Sequence, residues 1–309
     1  MKGLDTIFLC PAAVPLRYDG AMTQSHRPPA GTCIFCGKPG KMSREHIWGD
    51  WLKAFVPPKM NKHNFHAQRI NKPGATPSAT TMLKAGDPLR AKVRVVCASC
   101  NNTWLSQLQQ QAKPHLIPLI QGQRTALGST AQERVAAWCA MATMTAEFID
   151  PDPHSIAVSP ADRDWLMQNR TAPPGWRIWI GNYRRKNWIP RWVHFTFPML
   201  EAHEMPAQND PIPPYPNTQA TTFTVGQLYV HAMSSAYPKT IEKWYWGLGP
   251  APLAGRLLAP AKTRWPAAAG VRRIRYPLRA PGRYGRTGVF AISVIFPVSD
   301  FLRTRLLCS

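Results

Sequence analysis

Acidic residues are scarce in this chain. Only 16 Asp and Glu stand against 38 Lys and Arg, which leaves a formal net charge of +22 over 309 residues and an isoelectric point near 10.2. Such a deficit of negative charge points to a polyanionic partner gripped through salt-dependent phosphate contacts, although plain solvated surface charge produces the same excess. Long apolar runs are also missing. The stretch from Ile7 to Val14 is broken by Cys10 and Pro11, too short to cross a bilayer, and Asp5 beside it argues against a secretory leader. Residues 1–30 are therefore expected to form a disordered or artefactual leader, with Met22 an alternative start. Cysteine is sparse, and Cys10, Cys139 and Cys308 lie outside any disulfide pattern, so a reducing cytoplasm suits the chain better than a secreted framework. No internal repeat, P-loop or dinucleotide fingerprint occurs.

The remaining four cysteines are paired. Cys33-Ile34-Phe35-Cys36 and Cys97-Ala98-Ser99-Cys100 are two C-x₂-C knuckles, and two such knuckles complete a closed tetrahedral Cys₄ zinc site. A closed site has no open coordination position, so this metal is expected to hold the fold rather than do chemistry. Glu45 and His46 follow the first knuckle and Asn101 follows the second, so the zinc would gather a carboxylate, an imidazole and an amide oxygen. Carboxylate and amide oxygens suit Mg²⁺ or Mn²⁺, and an imidazole beside such an ion can act as the base that activates water.

The order C-x₂-C, Glu-His, C-x₂-C-Asn, followed by a helix, resembles the HNH nucleases of the ββα-metal (His-Me finger) superfamily, in the zinc-stapled branch that includes phage junction-resolving endonucleases. The resemblance covers residues 31–113. It implies that His46 is the general base, that Glu45 and Asn101 hold one catalytic divalent ion, and that cleavage leaves 5′-phosphate and 3′-OH ends. The acidic position is Glu45, where the family more often has Asp. Residues 47–96 separate His46 from Cys97, and Asn61, Asn64 and Asn71 all remain open for the loop Asn that such modules carry. The alternative is a zinc ribbon that binds nucleic acid without cutting it.

The expected fold class is α+β, with a leader over 1–30, the zinc-stapled module over 31–125, and a mixed α+β domain over 126–309 that contributes to substrate recognition. Within the module, Trp48, Leu52 and Phe55 predict a short amphipathic helix before Pro57-Pro58. Residues 57–89 read as a long polar loop in which His63 and His66 are surface histidines. Arg90, Lys92 and Arg94 alternate with Ala91, Val93 and Val95, which predicts a half-buried strand with a basic outer face; the nuclease resemblance implies that these three side chains meet DNA rather than RNA. Asn101 should open a helix striped with Trp104, Leu105 and Leu108 and ended by Pro114.

Beyond residue 125, Thr130-x-x-Glu133 reads as a capping box for a helix to Ile149, and Ser159-Pro160 opens a second helix to about Asn169. Strands are expected over 176–180, 192–197, 221–231 and 289–296. The stretch 262–305, rich in Lys and Arg with Trp265, Tyr276 and Tyr284 interleaved, is a second place for nucleic-acid contact.

Overall fold

The computed structural model describes residues 8–9, 25–55, 63–70, 78–85, 92–182, 191–200, 215–239 and 241. The fold is mixed α+β, with helices and largely antiparallel sheets. Strands β1 (Phe8–Leu9), β6 (Arg177–Asn182), β9 (Leu228–Ser235), β8 (Thr218–Val225), β7 (Arg191–Phe197), β3 (His63–Ile70) and β4 (Ser78–Ala85) form one seven-stranded sheet in that order. Every pairing in it is antiparallel except β3 with β7, where Phe65 lies opposite Arg191 and Ile70 opposite Thr196. A second, two-stranded sheet joins β2 (Glu45–His46) to β5 (Lys92–Val93). The chain then enters α1 (Ala98–Cys100), a π-helical turn over Asn101–Leu105, and α2 (Ser106–Ile120). Helices α3 (Ser129–Ala146) and α4 (Pro160–Asn169) follow.

The core passes without a break from the knuckles into the large sheet. Helix α3 is buried without a break from Val135 through Ala146, as a helix packed on several sides must be. It lies against α2, α4 and β9. Aromatic rings carry the contact from the β2 strand onward: Trp48 meets Phe223 of β8 at 5.3 Å and Trp192 of β7 at 6.2 Å, and Trp51 meets Trp138 of α3 at 6.5 Å. These separations fall in the range where tilted and edge-on rings attract. The predicted turn of helix after His46 is a 3₁₀ helix over Asp50–Ala54 with Leu52 buried.

Several expectations are corrected. Residues 63–70 and 78–85, inside the stretch read as a loop, form the β3–β4 hairpin, with Phe65 opposite Leu83. Their sequences lack the apolar alternation by which a strand is recognised, and backbone pairing onto β7 takes its place. Pro114 does not end its helix. α2 runs on through Pro114 and Pro118 because Leu108, Ala112, Leu116 and Ile120, four apart, bury one continuous stripe. Gly128, not a capping box at Thr130, caps α3. The run 221–231 is a hairpin of two strands turning at Gly226; among the described residues the strand before Cys97 covers Lys92–Val93 and stops short of the knuckle, Arg90 and Ala91 lying outside those residues.

The helix opened by Ser159 has the expected cap, in which the Ser159 hydroxyl accepts the Asp162 amide at 3.0 Å. Residues 8–9 and 25–30 fall in the stretch read as a leader. There β1 pairs with β6, and the Arg27 guanidinium donates to the Asp150 carbonyl at 2.6 Å. The expected strand at 289–296 and the basic stretch 262–305 lie outside the described residues. Among the described residues no helix is long and apolar enough to cross a membrane.

Candidate metal centre and the adjoining Glu-His pair

Backbone hydrogen bonds clamp the two knuckles together before any metal is considered. Ile34 N–H donates to Val95 O at 2.9 Å, Ser43 N–H to Val96 O at 2.8 Å and Ala98 N–H to Lys41 O at 2.9 Å. Gly37 turns the first knuckle with φ +64°, a left-handed conformation that glycine adopts without strain. As a result the sulfurs of Cys33, Cys36, Cys97 and Cys100 all lie within 4.8 Å of one another, and Cys36 Sγ is 3.8 Å from Cys97 Sγ. Tetrahedral ligation with Zn–S bonds of about 2.3 Å requires sulfurs about 3.8 Å apart, so the spacing fits. Among the described residues these four are also the single group of three or more His, Cys, Asp or Glu with metal-binding proximity.

The thiols are poised unevenly. Burial pushes the Cys33 and Cys100 thiols up, while the Cys100 N–H, 3.4 Å from the Cys97 sulfur, helps hold the Cys97 thiol down against its own burial. A cation among them supplies the charge that desolvation withholds.

Glu45 and His46 are consecutive residues of β2, so their side chains leave opposite faces. Glu45 points inward and is 5% exposed. Burial raises its carboxyl to about 7, against a hydrogen bond from Gln109 and the charge of Lys92. Gln109 is itself held by Trp51, whose indole N–H donates to its Oε1 at 3.2 Å. Gly49 makes room for this, since a Cβ there would sit 2.5 Å from Gln109 Oε1.

His46 is half-buried, opposite Lys92, with Nε2 3.5 Å from Asp50 Oδ1. Desolvation and then Lys92 lower its pKa, with Asp50 opposing, so the imidazole is neutral at neutral pH. Asn101 opens the π-helical turn directly after Cys100 and is partly exposed; its N–H donates to Cys97 O at 3.0 Å. Turns of this kind recur at functional sites. Lys92 and Arg94 are exposed as expected. Asn64 lies within β3, whereas Asn61, Asn71 and Arg90 fall outside the described residues.

Two features escaped the sequence. Gln109, the partner of Glu45, lies 64 residues downstream in an unremarkable Gln-rich run. Asp50 is four residues after His46, a spacing that was readable.

A separate buried polar cluster lies at the other end of α3. Glu147 accepts the amides of Ala157 and Val158 at 3.1 and 3.2 Å, and Arg163 Nη2 stands 3.6 Å from its second oxygen. His194 Nε2 donates to Ser155 O at 3.0 Å. Burial lowers the His194 imidazole to about 4, so it is neutral, and the cluster fastens the 147–158 segment to the sheet.

No family model, no curated protein and no solved structure matches the chain.

Proposed function

We propose that the protein is a metal-dependent DNA endonuclease of the HNH type, built on a ββα-metal module that the Cys₄ site staples. The observation that carries this reading is the juxtaposition, on one short strand, of a neutral His46 and a buried carboxylate, Glu45, with β5 and the Asn101 helix following in the strand–strand–helix order such a module needs. Glu45 fits a hard cation, because its carboxyl is buried without a full counter-charge and held up near 7 until one arrives. Glu45 and Asn101 would hold Mg²⁺ or Mn²⁺, which when bound polarises the scissile phosphate and steadies the departing oxyanion. His46 removes the proton from the attacking water, and Asp50 orients the imidazole and accommodates the charge it gains. Lys92 and Arg94 neutralise phosphates on either side.

The burial of Glu45 against Gln109 favours a second reading, a zinc ribbon that binds nucleic acid without cutting it, in which the carboxylate is only structural. One variant decides. His46→Ala should lose 10²–10⁴-fold in Mg²⁺-dependent plasmid cleavage while keeping its fold and DNA affinity. Equal cleavage by parent and variant, in preparations free of contaminating nuclease, would leave the ribbon reading.

A further inference from the structure

The outward side of the β2–β5 sheet carries more positive charge than its own contacts balance. Along the first strand Arg44 is exposed, Glu45 buried and His46 half-buried; along the second Lys92 is exposed, Val93 buried and Arg94 exposed. Strand alternation therefore sets Arg44, His46, Lys92 and Arg94 on one side, with Glu45 and Val93 on the other. Asp50, 3.5 Å from His46, is already shared with Lys53. Among the described residues no carboxylate pairs with Arg44 or Arg94.

The backbone holds these two arginines at facing positions. Glu45 lies opposite Val93 at the end of the ladder, and beyond it Ser43 donates to Val96 O from its N–H at 2.8 Å and from its hydroxyl at 2.9 Å. Met42 then lies opposite Cys97. Between these anchor points the first strand has Arg44 alone and the second has Arg94 and Val95, a β-bulge in which two residues face one. Bulges recur beside functional sites, where they re-aim a side chain. Like charges at facing positions of paired strands repel. A repulsive pair pinned from both ends, on the side of the sheet where His46 stands, is accounted for by an anion that bridges it.

We propose that Arg44 and Arg94 form a clamp for one phosphate group of the bound nucleic-acid strand, holding it on the His46 side of the sheet. A guanidinium presents paired N–H donors that match two phosphate oxygens, so two guanidiniums at facing positions grip one phosphate from both sides. Arg94 thus acts jointly with Arg44, while Lys92 remains a separate point charge. The clamp takes its substrate from the nuclease reading above and adds Arg44 to it as a positioning residue.

The test uses the full chain and its variants Arg44→Gln, Arg44→Lys, Arg94→Gln and the double Arg44→Gln/Arg94→Gln, with Arg124→Gln, an exposed cation outside this sheet, as control. Urea denaturation is run in chloride and in inorganic phosphate at equal ionic strength, and affinity for a fluorescent DNA duplex is followed by anisotropy. Phosphate strengthens burial in every protein through its exclusion from the surface, so the reading is the increment the parent gains beyond its variants. In chloride, Arg44→Gln and Arg94→Gln should be at least as stable as the parent, because the repulsion is relieved; in phosphate they should lack the parent's extra increment. Each should weaken DNA binding by about 10-fold or more, with Arg44→Lys falling between. The double variant should lose less than the product of the single losses, since either single already breaks the shared clamp. If Arg44→Gln keeps the phosphate increment and the DNA affinity, or loses no more than Arg124→Gln does, the clamp is overturned; independent, additive losses overturn it as well. Plasmid cleavage measured alongside separates the two readings. A parent that shows the clamp but cuts nothing overturns the nuclease and keeps the phosphate site, whereas a cutting parent with an indifferent Arg44→Gln overturns only the clamp.

Discussion

His194 lies in the middle of β7 with no exposed surface, and burial drops its imidazole from 6.5 to about 4, as it does for His231 and, with Arg163 adding to the effect, His26. An unfolded chain takes up those protons first. The stability these histidines contribute is therefore complete above pH 6.5 and is lost as pH falls towards 4. Glu147 acts in the opposite sense: burial raises its carboxyl to about 7, so its contribution is present below pH 4.5 and lost as pH rises through 7. Because the two overlap, a variant is more informative than the parent alone. His194→Asn should flatten the fall in stability between pH 6.5 and 4.5 by up to one proton, about 1.4 kcal/mol per pH unit, in urea titrations of both proteins at several pH values. Parallel curves would contradict the burial argument. The four cysteines were legible because ligation demands a local spacing. Glu147, Arg163 and His194 were not, since each finds its partner only after the chain has folded back on itself.

Among the elements, the hairpin between β8 and β9 is seated on the end of α2. Gly226 turns it with φ 56°, Gln227 N–H donates to Ile120 O at 2.8 Å, and a Cβ on Gly226 would lie 2.5 Å from that same carbonyl oxygen. Gly226→Ala should therefore cost about 2–4 kcal/mol, combining left-handed strain with overpacking, and chemical denaturation would show it as a lower midpoint. Elements whose ends carry their own chemistry were readable, α4 with Ser159-Pro160 being the clearest. Others depended on neighbours: the polar β3–β4 pair exists through its ladder to β7, and α2 passes two prolines because its buried stripe continues beneath them.

At the scale of the whole molecule, the net charge of +22 and the four gathered cysteines set the expectations. If exposed Lys92 of β5 and Arg94 just after it contact DNA, converting both to Gln should weaken binding to all sequences alike and reduce the salt slope by about 2, measured by fluorescence anisotropy over a salt series. An unchanged slope would move the contact elsewhere. If the four cysteines hold a metal, stripping it should melt the segment from Cys33 to Lys113, because the site does not pre-exist in the unfolded chain, and calorimetry with and without chelator would register it as a lower transition temperature. Sheet order also has a temporal meaning. Cys36 and Cys97 are 61 residues apart, an interval that translation at about 5–20 residues per second covers in roughly 3–12 s. β3, by contrast, must wait for β7, and Trp48 for Phe223, both made much later. On the ribosome the two knuckles can therefore meet while those partners are still unsynthesised, leaving the β7-facing edge of β3 and the Trp48 ring without their native cover until residues 191–225 emerge.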